Sequence, residues 1–257
     1  RRHPTPRPPN KFLHILLRGK IWRAGAHFRT PDSQFDSAET NPMNKLKLGA
    51  YDVGRIAELE FPAFPAGEFL PAATPEIVAE ARRRLPGRIA DDGRVVMSFH
   101  SYVLKTGRHT IMVDTCCGIN KQRPGREQFA DARKADFLAG LAAHGVKPEE
   151  VTHVMCTHLH WDHVGWNTRL DNGRWVPTFP NARYIMAKRE FEHWQEAHRK
   201  SEEDTPHKRA FEDSVLPVVR TGQSLLVDDD YAMEDGLWFE SAPGHTPGNV
   251  VIHARSK

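Results

Sequence analysis

Within Thr157-His158-Leu159-His160-Trp161-Asp162-His163, three imidazoles and a carboxylate are packed into six residues. Imidazole nitrogen and carboxylate oxygen are the ligands of borderline cations such as zinc, and two ions side by side need about this density of donors. The preceding run Val151-Thr152-His153-Val154-Met155-Cys156 has the character of a buried strand, so the cluster falls where a strand gives way to a loop. Residues two apart on extended chain face the same way, which directs His158 and His160 to one ion. A turn after them would bring Asp162 and His163 toward a second, with Gly165 permitting close packing. The chain has fifteen histidines. The isolated ones, among them His14, His109, His144, His193 and His207, are expected to be solvated or structural. Four ligand-type residues crowded this tightly are not, because buried ionisable groups are costly unless paired or bound to metal.

The elements that must position this cluster follow from punctuation and periodicity. Val95 to Leu104 and His109 to Val113 form a predicted hairpin about Thr106-Gly107, and Ala135 to His144 an amphipathic helix stopped by Gly145 and Pro148. Thr74-Pro75 opens another helix, cap then proline, that ends at Pro86-Gly87. Arg183 to Ala187 is a further strand, followed by a helix over Lys188 to Arg199 whose stripe of Phe191, Trp194 and His198 suits core packing. Leu46 to Val53 alternates like a first strand, and Asn249 to Ala254 is another strand that carries His253.

His-x-His-x-Asp-His after an apolar strand resembles the signature of the metallo-β-lactamase superfamily. Ile111-Met112-Val113-Asp114-Thr115 resembles that family's strand ending in Asp-Thr, and Ala242-Pro243-Gly244-His245-Thr246-Pro247-Gly248 its Pro-Gly-His turn. The likeness spans residues 46 to 257. It implies an α/β fold, the four-layer αββα sandwich, and two divalent metal ions, with zinc favoured over iron, manganese or cobalt. By the same likeness His158, His160 and His245 hold the first ion, while Asp162 and His163 begin the second site. Among the residues present Asp162 also has a catalytic part, and Asp114 is a residue that orients a ligand, or else a strand-end turn aspartate. The family's bridging aspartate and last histidine have no counterpart in the twelve residues after His245. The second half of the fold is therefore expected to be incomplete. Asn249 stands where many relatives have histidine.

The implied chemistry is attack by metal-bound hydroxide, with no organic cofactor. Trp175 to Tyr184 and the spacing from His163 to His245 are most similar to the branch of lactonases and organophosphate hydrolases, which implies a small-molecule lactone or ester substrate. Glyoxalase II-like thioesterases and β-lactamases share the metal motif and remain alternatives, as does a metal-binding fragment without turnover. Two tryptophans, Trp161 and Trp166, either wall the pocket or pack the loop. The apolar stretch Phe61 to Pro71 is expected to be a loop serving as a lid, a core cap or a homodimer contact.

Composition bounds the remainder. The 257 residues, 39% hydrophobic and 27% charged, are ordinary for a globular protein, and no run approaches the length of a membrane span. The net charge of +3 is unevenly placed: residues 1 to 42 hold eight Lys/Arg against three acids, net +5, leaving −2 elsewhere. Residues 43 to 257 offer no basic face for nucleic acid. Prolines at 4, 6, 8 and 9 and the lack of hydrophobic period predict a disordered leader over 1–42, with Met43 the natural start of the 43–257 domain. Three cysteines make no disulfide framework and suit the cytoplasm. Cys156 is expected in the core, and Cys116-Cys117 near the pocket rim.

Overall fold

A computed structural model describes residues 12–15, 45–129, 136–234 and 236–256. Its strands are β1 (Phe12–Ile15), β2 (Lys45–Leu48), β3 (Tyr51–Pro65), β4 (Arg94–Lys105), β5 (Thr110–Val113), β6 (His153–Met155), β7 (Thr168–Asp171), β8 (Arg174–Pro177), β9 (Arg183–Ala187), β10 (Ser224–Val227), β11 (Ala232–Glu234), β12 (Leu237–Ser241) and β13 (Val250–Arg255). The helices are α1 (Ala66–Phe69), α2 (Pro75–Arg84), α3 (Phe137–Ala143), α4 (Lys188–Lys200), α5 (Pro206–Ala210) and α6 (Leu216–Arg220), with a π-helical turn, Phe211–Val215, between the last two.

A seven-stranded sheet runs in the order β10-β9-β6-β5-β4-β3-β2, a four-stranded sheet in the order β1-β13-β12-β11, and β7-β8 form a separate hairpin. The alternation of side chains along a strand divides the larger sheet into two buried faces. Val103 and Met112 point to one side, where Phe137 and Leu141 of α3, Phe191 of α4 and Val218 of α6 complete a core. Leu104, Ile111, Val113, Met155 and Ile185 point to the other, against Leu237, Phe239, Val250 and Ile252 of the smaller sheet. The layers are therefore helices, sheet and sheet, as expected for αββα. The described residues supply these three layers of the four.

The hairpin of β4 and β5 forms as predicted, and α2 begins at Pro75 behind Thr74, whose hydroxyl accepts the Ile77 amide. Two expectations are corrected. Leu46 to Val53 is not one strand: the chain reverses at Gly49 (φ 58°) and Ala50, so β2 and β3 pair antiparallel within the same alternating pattern. Phe61 to Pro65 is not loop but the end of β3, paired with β4 from Phe61↔Met97 to Pro65↔Arg94. The ladder tolerates the two prolines because its register shifts between Pro62 and Phe64, and Pro65 lies at the strand's end. Only from Ala66 does that segment leave the sheet, as α1. Phe12–Ile15 of the basic leader pair antiparallel with β13; the rest of the 1–42 stretch lies outside the described residues.

Strands β5, β6, β9 and β10 are mutually parallel, so the segments that follow β5, β6 and β9 emerge on one edge of the sheet. Open α/β sheets place their ligands at such an edge. Asp114 directly follows β5, His158 to His163 follow β6, and α4 follows β9.

Candidate metal centre

The strand before the cluster ends at Met155, and residues 157–160 continue without regular structure before a turn at 161–163. The turn between β12 and β13 is brought to the same place by a backbone bond from β13 to the loop after β6, Val250 N to Thr157 O at 2.9 Å. His245 of that turn meets the loop. Its ring centroid lies 4.8 Å from that of His158 and 4.6 Å from that of His160, which are themselves 4.7 Å apart. One ligand nitrogen from each lies within 4.8 Å of the others.

The donor chemistry of these three suits a metal. His158 is 2% exposed, and its Nε2 is buried with no hydrogen-bond partner among the described residues. An orphaned buried acceptor of this kind is costly in isolation and is what a cation would satisfy. Burial, then the neighbouring His163, His160 and His245, hold the His158 pKa well below the usual imidazole value. Burial and His207 bring His160 to about 3. Both are therefore neutral near pH 7, the form in which imidazole binds metal.

Asp162 and His163 stand beside this trio. The His163 ring centroid is 4.0 Å from that of His158, and its Nε2 is 3.5 Å from Asp162 Oδ2. Burial would pull the His163 pKa down, yet the Asp162 and Asp114 carboxylates outweigh it and raise it to about 10. Burial would likewise raise Asp162, but His163 holds it at about 2. The pair is thus an imidazolium and a carboxylate facing one another. A cation taken up between them would replace the Nε2 proton, which leaves as the metal binds.

Asp114 orients His163 rather than merely ending a strand. Its Oδ2 bonds His163 Nδ1 at 2.8 Å and accepts the Thr157 hydroxyl at 2.8 Å, while Oδ1 accepts the Thr157 amide at 2.8 Å. The Nδ1 contact leaves Nε2 as the outward nitrogen of His163. Asp114 and Cys116 adopt left-handed backbone conformations, φ 52° and 49°, which fold the 114–118 loop over the histidine-bearing loop 157–163. Thr115 N donates to His163 O at 2.7 Å, Gly165 N to Cys116 O at 2.7 Å and Trp166 N to Thr115 O at 2.8 Å.

The two tryptophans divide the roles considered for them. Trp166 packs: it stacks on Phe137 and donates its indole N–H to the buried Glu58 at 2.7 Å. Trp161 packs its ring against Phe99 and Phe129 and also lines a cavity of about 360 Å³ with Cys117, Pro124, Arg126 and Phe129. One wall of that cavity is tied down by Arg123, which bonds both oxygens of Asp213 at 2.7 and 3.0 Å. Pro217 has no N–H to donate within its helix, and the Asp213 carbonyl four residues earlier instead accepts from Lys121 and Thr168. Cys116, Cys117 and Cys156 are buried, unbridged thiols, and burial raises the Cys116 and Cys156 pKa values.

Sequence reasoning missed two residues. His207, expected to be solvated or structural, lies with its ring centroid 4.2 Å from that of His160 and 5.1 Å from that of Trp194. Glu190, within a helix of ordinary amphipathic pattern, is 1% exposed. Its carboxylate accepts from the Leu159 amide at 3.1 Å, the Gly248 amide at 3.0 Å and the Trp194 indole at 2.7 Å. Asn249 braces the His245 turn by donating to Ala242 O at 3.2 Å. His253 is a strand residue as expected, stacked on Trp238.

Comparison with known proteins agrees with this geometry. Residues 98–257 match the profile of the metallo-beta-lactamase superfamily. The chain belongs to that superfamily. Two curated relatives are N-acyl homoserine lactonases. The one from Bacillus sp is 25% identical over 177 residues, covering 65% of this chain and 60% of the relative. The one from Bacillus cereus is 25% identical over 163 residues, covering 59% and 56%. The chain thus spans less than two thirds of the length of either. Among solved structures, a probable metal-dependent hydrolase from Staphylococcus aureus aligns with a TM-score of 0.64 at 16% identity, over 82% of this chain and 71% of that one. AidC, described as a dizinc quorum-quenching lactonase, aligns with a TM-score of 0.61 at 24% identity, over 82% and 70%. These likenesses establish the superfamily fold. Among the described residues no helix is long and apolar enough to cross a membrane.

Proposed function

We propose that this chain carries the metal centre of a hydrolase that opens a lactone or another ester-like bond of a partly apolar small molecule. The observation that carries the proposal is the convergence of His158, His160 and His245 about the orphaned Nε2 of His158. Those three would hold the first divalent ion, zinc by donor type, and Asp162 with His163 would begin the site of a second. Ions held there would supply a nucleophilic water at neutral pH and polarise the attacked carbonyl. The chain's own contribution is orientation and shape. Asp114 fixes which nitrogen His163 presents, and Trp161 and Phe129 give an apolar wall beside the ligand loop. The relatives named as lactonases support this substrate class, and the reduced, buried cysteines support a cytoplasmic setting.

The test is a panel of acyl lactones and phosphotriesters offered to the protein that contains this chain. Hydrolysis should disappear on chelation and return with zinc, manganese or cobalt. Turnover of a glutathione thioester or a β-lactam alone, with none of the panel cleaved, would replace the substrate class.

Asp162→Ala separates the two sites. It removes a carboxylate beside His163, while the three histidines of the first site keep their positions. We expect elemental analysis to show loss of the second ion with the first largely retained; equal loss of both would contradict the division.

A further inference from the structure

Glu190 joins parts of the molecule that lie far apart in sequence. Leu159, whose amide it accepts, stands between His158 and His160. Gly248, whose amide it also accepts, is three residues after His245. One buried carboxylate therefore fastens the backbone on both sides of the three-histidine cluster. The approach at Gly248 leaves no slack, since a Cβ there would lie 2.2 Å from the Glu190 amide nitrogen. Glu190 occupies the first turn of α4, directly after β9, which pairs with the strand that feeds the metal loop. The carboxylate is thus anchored to the sheet edge from which that loop emerges.

We propose that Glu190 is the positioning residue that sets His158 and His160 in register with His245, so that metal affinity at this site depends on its carboxylate. Ligand geometry governs metal affinity, and loss of an outer partner that orients ligands typically weakens binding about ten- to hundred-fold. Glutamine at 190 has nearly the same shape but one acceptor oxygen and an NH₂ group. Whichever way the amide turns, either the Leu159 or the Gly248 amide faces a donor. The two ligand-bearing segments then lose their common tether.

The fold supplies a matched comparison. Glu58, also 1% exposed, accepts two backbone amides, Cys117 at 2.8 Å and Gly118 at 3.1 Å, and one indole, Trp166 at 2.7 Å. None of its three donors lies within the two segments that carry the first-site histidines: Cys117 and Gly118 belong to the 114–118 loop and Trp166 follows His163 by three residues, so a loss of metal on Glu58→Gln falls on the second ion and not the first. Glu58→Gln should therefore lower the melting temperature in chelator much as Glu190→Gln does. The inference rests on the metal centre proposed above, and the experiment separates the two. Zinc affinity of the chain is measured by competition with a chromophoric chelator for wild type, Glu190→Gln and Glu58→Gln, beside their melting temperatures without metal. The expected result is a ten- to hundred-fold weaker first-site zinc constant in Glu190→Gln and a wild-type constant in Glu58→Gln. Wild-type affinity in Glu190→Gln, or equal loss in both variants, would overturn the role of Glu190. Failure of wild type to bind zinc would remove the metal centre itself. If Glu190→Gln does not fold, Glu190→Asp takes its place with the same outcomes, since it keeps both oxygens but retracts them by one methylene.

Discussion

Replacing His158 with leucine is expected to abolish tight zinc binding while leaving the metal-free fold standing. In the metal-free protein this imidazole is buried, and its Nε2 finds no partner among the described residues. An unsatisfied buried acceptor costs about 1–3 kcal/mol, so an apolar side chain in its place removes a penalty. Against that gain stand the 3.1 Å contact of Nδ1 with the Thr157 hydroxyl and the imperfect match of shape. These opposing changes are of similar size, so the melting temperature in chelator should move by only a few degrees. Zinc reverses the comparison. Loss of a direct ligand should weaken the first site by more than about a hundred-fold, beyond the usual effect of an outer-shell partner. Wild type at a zinc concentration of 100 times its dissociation constant gains about 2.7 kcal/mol, and the variant gains almost nothing. Thermal melts with and without zinc measure both halves. A variant that unfolds in chelator would make His158 a structural residue, and one still stabilised by zinc would remove it from the ligand set.

The residues legible in the sequence are those whose partners are near in sequence or whose spacing is itself chemical. His158, His160, Asp162 and His163 announce a metal by density alone, and the structure brings all four together with His245. His245 required the likeness of its turn, because nothing local links it to a loop more than eighty residues earlier. Glu190 and His207 carried no such signal. Glu190 sits in the 13-residue α4 and His207 in the five-residue α5, where a glutamate or histidine is ordinary, and the partners of each are brought near only by the fold. The aromatic and proline content of Phe61 to Pro65 suggested a loop, but cross-strand pairing outweighed it. Local propensity is a weak guide where a register shift can absorb a proline. Gly49 was lost for the opposite reason: alternation persists across a tight hairpin and hides the reversal.

Gly165 was legible as a packing glycine, and the structure shows how narrow its place is. A Cβ at 165 would lie 1.9 Å from the Cys117 carbonyl carbon, 2.0 Å from its oxygen and 2.4 Å from the Gly118 nitrogen. All three are backbone atoms, and the Cys117 and Gly118 amides are themselves held by Glu58, so no flexible side chain can yield. Relief requires the 114–118 loop and the metal loop to part. Their separation would break the Thr115–His163, Gly165–Cys116 and Trp166–Thr115 backbone bonds. Overpacking a core by a methylene costs about 1–3 kcal/mol when neighbours can repack. Here they cannot, and Gly165→Ala should cost at least about 3 kcal/mol, a large part of the stability of an ordinary domain. Gly87→Ala is the contrast. Gly87 has φ 74° but open space around its Cβ position, so alanine there meets only the left-handed backbone penalty of about 1–2 kcal/mol. Urea denaturation of both variants in chelator measures the difference. If Gly165→Ala lost no more stability than Gly87→Ala, the two loops would not be locked as described. If it is lost as expected, the surviving folded fraction should also bind the second ion less well, because His163 hangs from the same pair of loops through Thr115 and Asp114.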